Sequence, residues 1–293
     1  MKNLIKLGKN TYYIPGTTNV GVYVLNERNE VAIVDSGFLN NGPLVLEVLK
    51  YNNFKLKYIL TTHVHADHCG ANKYLMEKTK AKMVTTQIER AFARSDKLDI
   101  GFLYGGYPLE EFQTPLMTID EHVDIAHLSQ IPEGIRSFRL PGHHYDMVGF
   151  KTDDDVYFIA DSVGSLDTIK NHHILLVYDV EGYFNSLEYL KTLDGYQIVP
   201  SHGDVTNKIS ELVVEVRNKM DEIIDNILEI VKEPKTLEDI VSSLCKHYDI
   251  TLSYNKYLII TTTIRSYLAY LGRNKKTETL FIDNKLYYKV KSA

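Results

Sequence analysis

Thr62-His63-Val64-His65-Ala66-Asp67-His68, directly after the apolar run Tyr58-Ile59-Leu60, decides how the rest of this chain is read. Three histidines and one aspartate fall within six residues. Imidazole nitrogens and carboxylate oxygens are the donors that borderline metals such as zinc take. If His63 and His65 leave a strand on extended backbone, their spacing of two puts both rings on one side. Asp67 and His68 then come from the tight turn that follows, with Gly70 supplying backbone freedom. One short loop could therefore offer two donors to one metal and two to its neighbour.

The length, 293 residues, allows one large or two medium domains with a sizeable core. A hydrophobic fraction of 44% and a charged fraction of 24% are those of an ordinary globular protein, not of a disordered or fibrous one. The net charge of −5 argues against binding nucleic acid through the whole surface. Met1-Lys2-Asn3-Leu4-Ile5-Lys6 holds no continuous apolar run, and no stretch has the length of a membrane helix, so a cytoplasmic protein without a membrane partner is expected. Cys69 and Cys245 are far apart and imply no disulfide framework. Cys69 reads as a small buried packing residue, because its side chain should point away from that of His68.

Outward from the histidine loop, the first two-thirds alternates strand-like and helical runs. Tyr12–Ile14, Val20–Leu25, Val31–Val34 and Tyr58–Leu60 are rich in β-branched and aromatic residues and read as strands. Leu44–Tyr51 has helical spacing, with Pro43 suited to a first turn. Ile135–Leu140, Gly149–Thr152, Val156–Ile159 and Gln197–Val199 are later strands. Several end in polar residues containing His or Asp, the way an α/β enzyme places a site on loops beyond its strand ends. The stretch from about Ala91 to Ser129 reads as an irregular aromatic insertion that either lines a substrate pocket or packs as a satellite core. His122 and His127 within it lack ligand spacing, as do His172, His173 and His247 elsewhere. From residue 205 the pattern changes. Ile209 to Val231 marks a long amphipathic helix, Leu237–Tyr248 and Tyr254–Leu271 two more, and Thr279–Ile282 with Leu286–Val290 a hairpin across Asp283-Asn284-Lys285. Residues 1–204 thus form an expected catalytic domain and 205–293 a small, mostly helical, winged-helix-like one.

Three distant segments complete the loop: Leu140-Pro141-Gly142-His143, Ala160-Asp161-Ser162 and Pro200-Ser201-His202-Gly203. With the HxHxDH run and the early Val34-Asp35-Ser36-Gly37, the chain resembles the metallo-β-lactamase superfamily over roughly Leu4 to Asp204. The resemblance implies an α/β fold, a four-layer αββα sandwich. It assigns His63, His65 and His143 to one divalent metal and Asp67, His68 and His202 to a second, with Asp161 bridging. Zinc fits these donors first, and iron or manganese suit similar sets. The pair would activate a bridging hydroxide as nucleophile, with Asp67 orienting it or taking its proton. His143, not His144, holds the family's ligand position. His144 and Tyr145 are then candidates to donate a hydrogen bond or proton to substrate. Asp35 is expected to orient a ligand histidine, and Asp146 to be structural.

Hydrolysis of a small ester, thioester or lactone is the leading expectation. His65 stands where the diiron oxygen- and nitric-oxide-reducing branch usually has glutamate, which keeps the chain nearer the glyoxalase II-like hydrolases. A single-strand endoribonuclease is the first alternative, because some superfamily hydrolases carry a winged-helix domain behind the catalytic one. Arg265, Arg273, Lys275, Lys276, Lys285, Lys289 and Lys291 make that end basic, but Glu211, Glu215, Asp221, Glu222, Asp225 and Glu229 oppose nucleic-acid binding. Packing or homodimerisation is therefore the expected role of the C-terminal domain. A mononuclear iron dioxygenase of the persulfide type is the second alternative, disfavoured by His68 and His202.

Overall fold

Alternation along the strands builds two facing sheets. The computed structural model describes residues 4–164, 169 and 173–291; His172 lies outside them. The first sheet has seven strands in the order β1 (Ile5–Lys6), β2 (Thr11–Ile14), β3 (Val20–Val24), β4 (Glu30–Val34), β5 (Lys55–Leu60), β6 (Lys82–Thr85) and β7 (Ile125–His127). β1 to β4 pair antiparallel and β4 to β7 parallel. The second sheet runs β11 (Gln197–Val199), β10 (Val156–Phe158), β9 (Val148–Thr152) and β8 (Ile135–Arg139), with β10 and β11 parallel.

On β4, Ala32 and Val34 face the other sheet, while Val31 and Ile33 face outward to helices α1 (Gly42–Tyr51) and α3 (Asn72–Thr79). This is the period of two expected of a strand buried on both faces. Val148, Phe150, Val156 and Phe158 answer from the second sheet. Each fully buried side chain of this size contributes about 1.5–3 kcal/mol. Gly21 is needed for that closeness, since a Cβ there would lie 2.5 Å from the Phe158 ring.

The outer face of the second sheet, with Tyr157, Ile159 and Ile198, is covered by helices α6 (Val180–Lys191) and α7 (Ile209–Ile230) and, beyond them, α8 (Leu237–His247) and α9 (Tyr254–Arg273). The result is an αββα sandwich with a helical C-terminal region. Strands β12 (Thr277–Ile282) and β13 (Lys285–Val290) pair antiparallel around Asp283 and Asn284, both at positive φ, so the turn has two residues where three were expected.

Three expectations change. The stretch from Ala91 to Ser129 is more regular than it reads, holding the end of α4 (Gln87–Ala93), α5 (Leu98–Tyr104) and β7. α5 hides because Gly101 and aromatic side chains lower helix propensity, and because it stops at Gly105 (φ 85°). The elements α3 and β6 are too polar or too short to stand out in the sequence, and α6 adds a further buried helix whose Val180, Tyr183, Phe184, Leu187 and Leu190 pack on the second sheet. Gly70 is not there for backbone freedom: its φ is −59°, and it is required because a Cβ would sit 2.8 Å from the Leu39 nitrogen.

Candidate metal centre

The two sheets aim the ends of their parallel strands at one crevice, the usual place for a site in an α/β sheet. β4 leads into Asp35, β5 into the histidine loop, and β6 into Thr86 and Glu89 at the start of α4. From the second sheet come His143 after β8, Asp161 after β10 and His202 after β11. Asp67 and His68 lie on the one-turn helix α2 (Ala66–Cys69). His63 Nε2 is 2.9 Å from His65 Nδ1, which is 3.2 Å from His143 Nε2. In the adjacent group, Asp67 Oδ2 is 3.0 Å from His202 Nε2 and 3.5 Å from His68 Nε2. Asp161 touches both groups: Oδ1 lies 3.3 Å from His68 Nε2, and Oδ2 lies 3.4 Å from His202 Nε2 and 3.5 Å from His143 Nε2. The seven residues named from the sequence therefore meet as two donor groups, each with its atoms within 4.8 Å of one another.

Proton accounting tests whether these groups suit a cation. The Asp35 carboxylate, 1% exposed, accepts from Thr62 N and Thr62 Oγ1 at 2.8 Å and lies 2.9 Å from His68 Nδ1. Thr62 spends its only hydroxyl hydrogen on that carboxylate, so Oγ1 accepts from His63 Nδ1 at 3.0 Å. His63 Nε2 then carries a lone pair into the cluster. His202 Nδ1 faces the Thr17 carbonyl at 2.6 Å, which can only accept, so Nδ1 donates there and the neutral ring presents a lone pair at Nε2. Asp35 by itself requires the same of His68. Buried His68 Nε2 and Asp161 Oδ1 have no hydrogen-bond partner among the described residues. Convergent lone pairs and orphaned acceptors are what a cation site presents. The donor set fits divalent metal.

Burial drives the His63 pKa well below the usual imidazole range, and takes His65 to about 4 and His143 to about 3. Burial acts the same way on His68 and His202, yet the carboxylates outweigh it. Asp161 and Asp67 hold His68 well above its ordinary value, and Asp161 foremost raises His202 to about 10. Asp67 and Asp161 are both held below the carboxylate range: burial opposes this, and the charge of His68 does most to overcome it.

Behind the first histidine group lies a second layer that sequence reasoning missed. Glu89, wholly buried, accepts from Val64 N at 3.0 Å and Asp146 N at 3.2 Å, and its Oε1 is 2.6 Å from His144 Nδ1. It thereby ties the histidine loop to the His143 loop. His144 Nε2 lies 3.2 Å from Asp99 Oδ1, and Asp99 Oδ2 lies 4.0 Å from His65 Nε2. Tyr178 OH also donates to Asp99 at 3.3 Å. Burial alone would depress the His144 pKa, but Glu89 and Asp99 raise it to about 10. His144 is thus buried behind His65, with both nitrogens committed to carboxylates. Tyr145 is half exposed, its ring centroid 5.3 Å from that of Phe102. The one sequence signal for Glu89 is its place three residues after the capping Thr86, a pattern that says nothing of burial.

The remaining candidates stand apart. Cys69 is fully buried. Asp146 pairs with Arg139 at 2.8 Å. His122 is buried away from the cluster, His127 accepts from Ser129 N at the surface, and His173 and His247 lie against Tyr248.

Comparison with known proteins agrees with this architecture. Residues 13–202 match the family model for the metallo-beta-lactamase superfamily. A beta-lactamase-like protein 2 homolog from Caenorhabditis elegans is 27% identical over 75% of this chain and 67% of its own length. A hydroxyacylglutathione hydrolase from Pelagibacter ubique is 33% identical over 32% of this chain, and the match spans 38% of that protein. The crystal structure of a metallo-beta-lactamase family protein from Thermus thermophilus superposes with a TM-score of 0.74 at 16% identity, covering 96% of this chain and 99% of that one. The shared fold therefore includes the C-terminal helices.

Proposed function

The chain belongs to the metallo-beta-lactamase superfamily, and from that membership we propose that it is a dinuclear metal-dependent hydrolase of small esters, thioesters or lactones. The observation that carries the proposal is Asp161, one carboxylate shared between two complete donor groups. The hydroxyacylglutathione hydrolases among its relatives act, by name, on an acyl group carried by a thiol, which supports the thioester class. His63, His65 and His143 would hold one ion and Asp67, His68 and His202 the other, with Asp161 between them. Zinc is the proposed metal. When bound, two divalent ions lower the pKa of water and polarise the scissile carbonyl.

The protein's own part is positional. Asp35 fixes the ring orientation of one histidine in each group, directly at His68 and through Thr62 at His63. Asp99 and His144 back His65, and Glu89 holds the two ligand loops together. Asp67 lines the cavity and stays ionised, which suits it to ligate and orient an attacking water more than to retain its proton. For residues 205–293 we propose a winged-helix-like unit that packs on the catalytic segment, its long helix α7 too acidic for nucleic acid. Two unpaired buried cysteines suit a reducing cytoplasm. Among the described residues, no helix is long and apolar enough to cross a membrane.

Metal analysis of the protein as isolated, followed by a split assay, tests the reading. About two ions per chain are expected, with hydrolysis of thioesters or lactones and none of single-stranded RNA. One iron with oxygen uptake would replace the hydrolase by a dioxygenase, and RNA cleavage would replace it by a nuclease.

A further inference from the structure

Above the donor groups lies a cavity of about 170 Å³ with His65, Asp67, His143 and Asp161 at its base. Asp96 and Asp99 stand on one side, and the rest of the wall is mostly apolar, with Leu103, Leu116, Met117, Ile119 and Leu176 closed by Ile259 of the C-terminal helix α9. α9 is tied to each segment that supplies this wall. Thr262 Oγ1 donates to the Leu103 carbonyl at 2.8 Å, and Thr263 Oγ1 donates to the Leu175 carbonyl and accepts from Val177 N, both at 3.2 Å, on either side of Leu176. At its start, Asn255 Oδ1 accepts from Thr114 Oγ1 at 2.9 Å, two residues before Leu116. Ile100, Leu103, Phe112 and Leu258 bury the seam. The apolar wall is a built surface, and the C-terminal segment is part of it.

We infer that this cavity is an acyl pocket that admits a short apolar tail beside the scissile carbonyl, with Ile259 setting its length. The inference rests on the hydrolase reading above and names its substrate class. Three features exclude other occupants. No lysine or arginine lines the cavity among the described residues, so a phosphodiester would find no cation there beyond the metals. Asp96 and Asp99 at the wall disfavour a second anion. The volume is well under the roughly 300–1,000 Å³ of pockets for larger ligands. A cavity of that size leaves room for a tail of only a few carbons beside the reacting carbonyl.

The test is a chain-length series of N-acetylcysteamine thioesters, from acetyl to dodecanoyl, on the metal-loaded protein. Each methylene that enters the pocket is worth about a fourfold rise in kcat/KM, so the rate should climb to a short-chain optimum and then fall. Ile259→Ala should move the optimum to longer chains and Ile259→Phe to shorter ones. Independently of turnover, butanoate should shift the Ile259 methyl resonance, and dimethyl phosphate should not. Hydrolysis with no chain-length optimum, or an optimum unmoved by both variants, overturns the pocket while leaving the hydrolase reading standing. A silent Ile259 methyl does the same. No hydrolysis of any thioester, ester or lactone by protein holding two metals overturns the hydrolase reading and the pocket with it.

Discussion

Asp35→Asn should strip metal from both donor groups while the fold survives. Asp35 touches no candidate metal position, yet its carboxylate dictates where protons sit on His63 and His68. An amide has one acceptor oxygen and one nitrogen that donates two hydrogens. The acceptor stays opposite Thr62 N, because a backbone N–H cannot turn away. The new NH2 then faces Thr62 Oγ1 and His68 Nδ1, both of which now have to accept. The Thr62 hydroxyl turns toward His63 Nδ1, and the two rings shift their protons from Nδ1 to Nε2. Each donor group thereby gains an N–H where it needs a lone pair. Removing such an orienting partner costs about 10–100-fold in metal affinity, or roughly 1.4–2.7 kcal/mol per site. The loss should appear at both sites, since each holds one affected histidine. Competition against a chromophoric chelator measures the two affinities, and circular dichroism with a thermal melt checks the fold. Affinities within about twofold of the wild type at both sites would refute the tautomer argument. Loss at the His68 site alone would refute the relay through Thr62.

Three further outcomes are expected. Glu89→Gln leaves buried His144 with Asp99 as its one remaining carboxylate and loosens two loops, so unfolding in urea should show a loss of about 1–3 kcal/mol; a loss under about 0.5 kcal/mol would mean that Glu89 is not a brace. The His144 pKa rises from about 6.5 in the unfolded chain to about 10 in the fold. Its stabilisation is therefore complete below pH 6.5 and fades as pH rises through 10, and the stability gap between the wild type and His144→Gln should shrink over that range. A constant gap would contradict the assignment of a charged His144. In the metal-free protein, His63, His65 and His143 are neutral at neutral pH, each ring keeping one N–H, whereas His68 and His202 carry the extra proton of the imidazolium. Calorimetric titration in buffers of different ionisation enthalpy should show one metal binding without proton release and the other releasing protons; equal release at both steps would fail it.

Which parts of this were legible in the sequence follows from how local each signal is. The histidine loop is legible because its donors are contiguous, and strands such as Val31–Val34 because side-chain alternation needs no knowledge of distant partners. His143, Asp161 and His202 become legible only together, through the resemblance, since each alone is a polar residue after a strand. Glu89, Asp99 and Tyr178 carry no such signal. Glu89 sits in the first turn of a helix, where an acidic residue is ordinary, and its meaning comes from Val64, His144 and Asp146 closing around it. α5 and its aromatic neighbours read as irregular because their order comes from packing on α9, more than 140 residues away in sequence.

The backbone at the strand ends explains why so many supporting contacts are needed. Asp35 and Ala160 both lie in the left-handed region, at φ 58° and 51°, immediately after β4 and just before Asp161, which touches both donor groups. Such positions cost of order 1–3 kcal/mol each and persist only where the surroundings over-determine them. Asp35 offsets its own cost with its carboxylate contacts to Thr62 and His68. Ala160 has no polar side chain for that purpose. It is held by its neighbours: its carbonyl accepts from Ser201 N at 3.1 Å, and Ile159 N donates to the Val199 carbonyl at 3.1 Å. Those two bonds also join the strand ends that carry Asp161 and His202. The contacts that stabilise the strained turn therefore fix the Asp161 carboxylate relative to His202, so weakening them should disturb the spacing of the two donor groups before it disturbs the fold.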